Sequence, residues 1–223
     1  MKVFRRLPPV AERQPCVLTI GNFDGVHLGH QAVLARLVAT ARAHALPACV
    51  LTFEPHPREY FAAVHGAREA APPIVPARIL TERDKLGALA DCGVDRVCIA
   101  HFNASLASMP AETFIETILL EGLQARHLMI GDDFRFGARR RGDFDMLSDY
   151  SARRGFALER MPTVAHGGER YSSSAVRRAL AAGDLALARS LLGRPYFISG
   201  HVIHGRKLGR TLGFPTLNIR IPF

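Results

Sequence analysis

Thirteen residues near the amino terminus, TIGNFDGVHLGHQ (19–31), place two histidines three positions apart among glycines. His27 and His30 stand where an apolar run gives way to a helical pattern. A helix start offers free backbone N–H groups and a partial positive charge, a ready seat for phosphate. Two imidazoles facing one ligand there can donate hydrogen bonds to oxygens that gain charge during phosphoryl or nucleotidyl transfer. Gly25 and Gly29 lack a Cβ, so a phosphate chain is expected to approach the backbone at both. The stretch is neither a Walker P-loop nor a G-x-G-x-x-G fingerprint.

A second element, YSSSAVRR (171–178), opens another helical pattern. Ser172, Ser173 and Ser174 can cap that helix and donate hydroxyl hydrogen bonds, and Arg177 comes round one turn later onto the same side. Hydroxyls and a guanidinium at a helix start suit the β- and γ-phosphates that depart as pyrophosphate.

These residues need a scaffold, and apolar runs alternating with helical patterns supply one. CVLTIG (16–21), ACVLTF (48–53), residues 96–100, HLMIG (127–131) and residues 156–160 read as strands. Helical stripes fill residues 28–44, residues 81–91 with Thr81 as the cap, the segment opened by Pro110, and residues 144–154. Such alternation implies βαβ units and a parallel sheet covered on both faces, with ligands at the carboxyl ends of the strands. Residues 65–76, with three prolines, read as a loop. Two short helices, divided at Gly183-Asp184 and closed by Gly193, precede a change of texture after Pro195. Beyond it FISGHVIHG and TLNIRI read as short strands around a Gly-rich turn, like the opening of a β-barrel.

The 223 residues carry a net charge of +9, supplied almost wholly by arginine, and 48% of them are apolar. Arginine grips phosphate bidentately, so anionic ligands fit this balance. Four cysteines form no C-x-x-C pair and sit mostly in apolar runs, as buried thiols in a reducing compartment do. No stretch has signal-peptide form or bilayer-spanning length, so a cytoplasmic protein without membrane contact is expected. A basic RNA-binding module is the rival from another class, motivated by the arginines at 139–141. No aromatic-rich platform for single strands accompanies them, and no nucleic-acid partner is expected. The oligomeric state is not legible.

H-x-G-H after a strand and before a helix is the signature of the nucleotidyltransferase superfamily. GNFDGVHLGH, FEPHP (53–57), GDDFRFG (131–137), the SSS-x-x-R element and GHVIHGRKLGRTLGFPTLN (200–218) stand in one order. In that order and spacing they resemble the prokaryotic bifunctional riboflavin kinase/FAD synthetase family over essentially the whole chain. The resemblance implies a Rossmann-like α/β domain at residues 1–190 that transfers AMP from ATP to FMN, giving FAD and pyrophosphate with Mg²⁺. It implies catalytic roles for His27, His30 and Arg177. It assigns ATP contacts to Gly21, Phe23, Gly25, Gly29, Asp133, Ser172, Ser173 and Ser174. It assigns the flavin side to Pro55, His56, Pro57, Phe114 and Phe136. Residues 191–223 resemble the start of the β-barrel kinase module, with Thr216 and Asn218 expected to meet Mg-ATP. The family's usual Thr reads Ser174, an aliphatic residue reads Tyr171, and PTAN reads PTLN. About a quarter of a module cannot bury a core, so no riboflavin kinase activity is expected from these residues. The alternative within enzymes is an H-x-G-H nucleotidyltransferase acting on a pantetheine, nicotinamide or choline phosphate.

Overall fold

The computed structural model describes residues 1–66, 75–162, 164–166, 169–206 and 208–220. Strands β1 (Lys2–Phe4), β2 (Cys16–Ile20), β3 (Ala48–Glu54), β4 (Arg96–His101), β5 (Ala125–Gly131) and β6 (Ala157–Met161) form one sheet. Their order is β1-β4-β3-β2-β5-β6, and every pairing in it is parallel. Continuous apolar runs make these strands because both faces of the sheet are covered. All five residues of β2 are buried.

Alternate residues feed two cores. Val17, Val50, Val97 and Met129 point to one face, where α1 (Leu28–Ala43) packs through Leu34, Leu37 and Ala41. Leu18, Leu51, Cys98 and Leu128 point to the other, which holds Phe114, Ile115, Leu119 and Leu147. From β2 the chain moves outward through β3 and β4 on one side, then returns to lay β5 and β6 on the other. The crevice between the carboxyl ends of β2 and β5 is therefore the switch point where such sheets bind ligands.

Several short elements lie outside the expected pattern, β1 and α2 among them. β1 is an edge strand too short to show a period, and it pairs with β4 over Lys2, Val3 and Phe4. Helix α2 (Pro57–Gly66) extends through the first two residues of the proline-rich stretch read as a loop. Pro57 is tolerated as its first residue, where a missing N–H costs nothing. Residues 67–74 of that stretch lie outside the described residues.

The remaining helices follow their caps. Thr81 accepts from the Asp84 N–H to open α3 (Glu82–Asp91), and Asn103 caps the single turn α4 (Ala104–Ala107). Pro110 precedes α5 (Ala111–Thr113), which runs on as a π-helix at Phe114–Gly122. Asp143 opens α6 (Phe144–Arg154), and Gly155 ends it at φ 73°. A two-residue ladder, β7 (Ala165–His166) with β8 (Glu169–Arg170), leads to α7 (Ser173–Ala181) and α8 (Leu185–Leu192). Gly183 lies at the break between these two, Asp184 caps the second, and Gly193 closes it at φ 70°. At the carboxyl end β9 (Val202–Ile203) pairs antiparallel with β10 (Asn218–Ile219) around α9 (Leu208–Thr211).

Candidate active site

The turn from β2 into α1 is bent sharply. Phe23 (φ 49°), Gly25 (φ 85°) and Val26 (φ 39°) all lie in the left-handed region. For Phe23 and Val26 this costs conformational energy, so surrounding contacts must hold it. Asp24 is the main anchor. Its buried carboxylate accepts from the Ile79 N–H at 3.0 Å and the Leu80 N–H at 3.3 Å, and it ion-pairs with Arg177. The Ser173 hydroxyl donates to the Asp24 carbonyl at 2.8 Å. One residue thus ties the turn to the segment before α3 and to the start of α7.

Packing alters the reason for several residues of the motif. The Phe23 ring is only 2% exposed and lies 5.0 Å from the His30 ring, so it packs against that histidine. A Cβ on Gly21 would meet that same ring at 3.0 Å. A Cβ on Gly25 would meet Ile79 at 3.1 Å, and one on Gly29 would meet Tyr171 at 3.0 Å and His27 Nδ1 at 3.1 Å. The glycines expected to admit phosphate thus also make room for the protein's own side chains.

His27 caps α1: its Nδ1 accepts from the His30 N–H at 3.3 Å. An imidazole accepting at Nδ1 carries its proton on Nε2 while neutral, so His27 offers a donor there. The two rings stack, with centroids 3.7 Å apart and planes 20° from parallel. Burial pushes His27 down to about 4, with the Arg170 charge adding to the effect. Burial, then His27, holds His30 well below its ordinary value. Both are neutral at pH 7. His30 Nδ1 is buried and has no hydrogen-bond partner among the described residues, a polar atom left open at the switch point.

The serines divide their work. Ser172 caps α7 by accepting from the Ala175 N–H at 3.1 Å, Ser173 holds Asp24, and Ser174 is exposed. Arg177 is held on two sides: its Nε donates to the Ala77 carbonyl at 2.6 Å and its Nη2 to Asp24. Its Nη1 makes no hydrogen bond among the described residues. Asp133, at the end of β5, pairs with Arg170 at 2.9 Å, the arginine that acts on His27.

On the β3 side, His56 stands within the field of Asp24 and Arg177, and burial lowers its pKa. Its Nδ1 accepts from the Arg58 N–H at 3.1 Å, and its carbonyl accepts from Glu59 and Tyr60 to start α2. Pro55 and Pro57 flank it and are half-buried. Arg78 binds Glu54 at 2.6 Å and also Glu59, closing this side as a charged clamp.

Phe114 and Phe136, expected on the flavin side, are core residues. Their rings lie 5.5 Å apart beneath the π-helix, and a Cβ on Gly142 would meet the Phe136 ring at 2.5 Å. Both rings are packed into the core beside the sheet. Aromatic surface occurs elsewhere. Phe53, Tyr60, Phe61 and Phe102 form edge-on contacts of 5.4–5.9 Å at the carboxyl ends of β3 and β4, and Phe61 is 42% exposed. An aromatic closing one strand, another just past its neighbour, and a pair on the next helix were the available signal.

Asp24 and Lys85 also carry more than the motifs foretold. Lys85 is buried on α3 and donates to the Thr52 hydroxyl at 3.5 Å. That hydroxyl donates to the Asn22 carbonyl at 3.4 Å, bracing the turn from behind. Thr216 and Asn218 are exposed on the small β9–β10 unit, remote in sequence from this crevice.

A parallel sheet with an H-x-G-H turn at its switch point defines an α/β domain of the nucleotidyltransferase type. The chain belongs to the FAD synthetase family: residues 10–175 match that family model, and residues 192–223 match the one for riboflavin kinase. It is 47% identical over 221 residues to a bifunctional riboflavin kinase/FMN adenylyltransferase of Escherichia coli (strain K12), covering 98% of this chain and 68% of that protein. The counterpart in Haemophilus influenzae is 50% identical over 208 residues, covering 93% of this chain and 65% of that protein. A crystal structure of a macrolide-efflux protein from Streptococcus pneumoniae superposes with a TM-score of 0.79 at 27% identity. That match covers 99% of this chain and 69% of the other. Among the described residues no helix is long and apolar enough to cross a membrane.

Proposed function

We propose that the chain transfers AMP from ATP to FMN. An oxygen of the FMN phosphate attacks the α-phosphorus of ATP, the bond to the β-phosphate oxygen breaks, and FAD and pyrophosphate result. The FMN phosphate is largely ionised at neutral pH, so positioning and charge stabilisation carry the step and no strong base is needed. The observation that carries this reading is the stacked, neutral His27–His30 pair at the start of α1, with His30 Nδ1 unpartnered among the described residues. These donors hold phosphate oxygens of ATP. Arg177, fixed by Asp24 and the Ala77 carbonyl, turns Nη1 to the departing pyrophosphate.

Asp133 lies on the nucleotide side, and Pro55, His56 and Pro57 border the flavin. The half-exposed aromatics at Phe53, Tyr60, Phe61 and Phe102 supply the apolar face that the isoalloxazine needs. Mg²⁺ enters as the companion of ATP, held mostly by phosphate oxygens, as is usual for this small, reluctantly dehydrated ion. Residues 1–190 form the adenylyltransferase domain and residues 191–223 the first part of a riboflavin kinase module, with Thr216 and Asn218 as its nucleotide contacts. The two family matches support that division. A cytoplasmic setting fits the four free cysteines.

Incubation with FMN, ATP and Mg²⁺, followed by chromatographic separation of the flavins, tests the reaction. FAD forms with the wild type and is largely lost in His30→Ala. A folded, ATP-binding wild type that makes no FAD refutes FMN as the acceptor.

A further inference from the structure

Arg194 lies beyond the FAD synthetase match and inside the riboflavin kinase match, yet its side chain belongs to the first site. Its Nη2 donates to the Gly25 carbonyl at 2.8 Å, and its Nη1 to the carbonyls of Val26 at 3.1 Å and Leu192 at 3.3 Å. It forms no ion pair among the described residues, so a half-buried guanidinium is committed to backbone oxygens. Two of those oxygens belong to the left-handed residues Gly25 and Val26, directly before the cap His27. Gln31 donates to the Val26 and Leu192 carbonyls at 2.9 and 2.8 Å, so the end of α8 and the site turn are joined twice.

The junction between them leaves little slack. A Cβ on Gly193 would meet Leu28 at 2.6 Å, in the first turn of α1. Tyr196 packs on the core, and the Ser199 hydroxyl donates to Asp84 of α3 at 2.6 Å. The segment entering the second module is thus fastened at the nucleotide turn and again at α3.

We propose that Arg194 is a positioning residue of the nucleotide site, contributed by the second module's segment, which holds the turn 25–26 in its strained form and so fixes the His27–His30 pair. Charge-assisted bonds to two successive carbonyls suit this task, because a planar guanidinium fixes direction as well as distance. Strain in Phe23 and Val26 is tolerated only while such contacts persist.

The inference rests on the nucleotide reading of that site, and the test separates the two. Arg194→Met and Arg194→Lys are compared with the wild-type chain by thermal midpoint, by KM for ATP and for FMN, and by NMR titration of the His27 and His30 imidazoles. Arg194→Met is expected to raise KM for ATP about tenfold while KM for FMN stays unchanged. Both imidazoles then titrate nearer their ordinary range, and the lysine variant falls between. A lowered midpoint with unchanged imidazole titrations assigns Arg194 to stability alone and overturns the proposal. Equal rises in both KM values also overturn it. A wild type that binds ATP but makes no FAD sinks the acceptor reading only, because the imidazole titrations do not depend on turnover.

Discussion

Acid should weaken this protein through His27. Burial and the Arg170 charge take its imidazole from 6.5 to about 4. Between those values the unfolded chain binds a proton that the native state refuses, so stability falls as pH falls. The loss begins as pH drops through 6.5 and is complete below about 4. Worked through that linkage, His27 alone removes about 2 kcal/mol between about pH 7 and pH 5. Burial of His30 acts in the same direction. His27→Asn isolates the first contribution, because asparagine can still accept the His30 N–H as an N-cap but does not titrate. Urea denaturation of both proteins at the two pH values gives the comparison. The wild type should lose about 2 kcal/mol more than the variant. Equal losses would refute the claim that the folded site holds this imidazole neutral.

Asp24→Ala leaves the Ile79 and Leu80 N–H groups and the Arg177 guanidinium without their acceptor. It should cost about 3–5 kcal/mol in urea denaturation, and a loss under about 1 kcal/mol would contradict the hub role. Gly29→Ala puts a methyl 3.1 Å from His27 Nδ1. Alanine favours a helix over glycine by about 0.5–1 kcal/mol, so FAD formation should fall about tenfold without a matching loss of thermal midpoint. Wild-type kcat/KM in that variant would show that the ring has room to move. Phe102→Ala should raise KM for FMN and leave KM for ATP alone, whereas equal changes would place the flavin elsewhere.

Much of the scaffold was legible because its signals are local. Asp184 and Gly193 bracket α8 as their side chain and backbone freedom dictate, and Thr81 opens α3 by its side-chain cap. The apolar runs at 16–20 and 48–53, bounded by turn residues, read as buried strands, and the fold has them so. β1 escaped because three residues carry no period, and α2 because a proline-flanked histidine looks like the end of a strand rather than a cap. Phe114 and Phe136 pose a different problem. An aromatic reads the same whether its ring faces a ligand or fills the space over a glycine, and only folding brings the Phe136 ring against Gly142.

By itself the sequence determined the parallel α/β architecture, the position of the histidine pair at the start of α1, and the capped start of α7. Each depends on periodicity or on bonds spanning a few residues. The tertiary structure alone decided what those groups face. It joined Asp24 to Arg177 across 153 positions, carried Arg194 back onto Gly25 and Val26, and sealed both imidazoles in their neutral form. Charges, hydrogen bonds and desolvation act through space, and only the folded chain sets those distances.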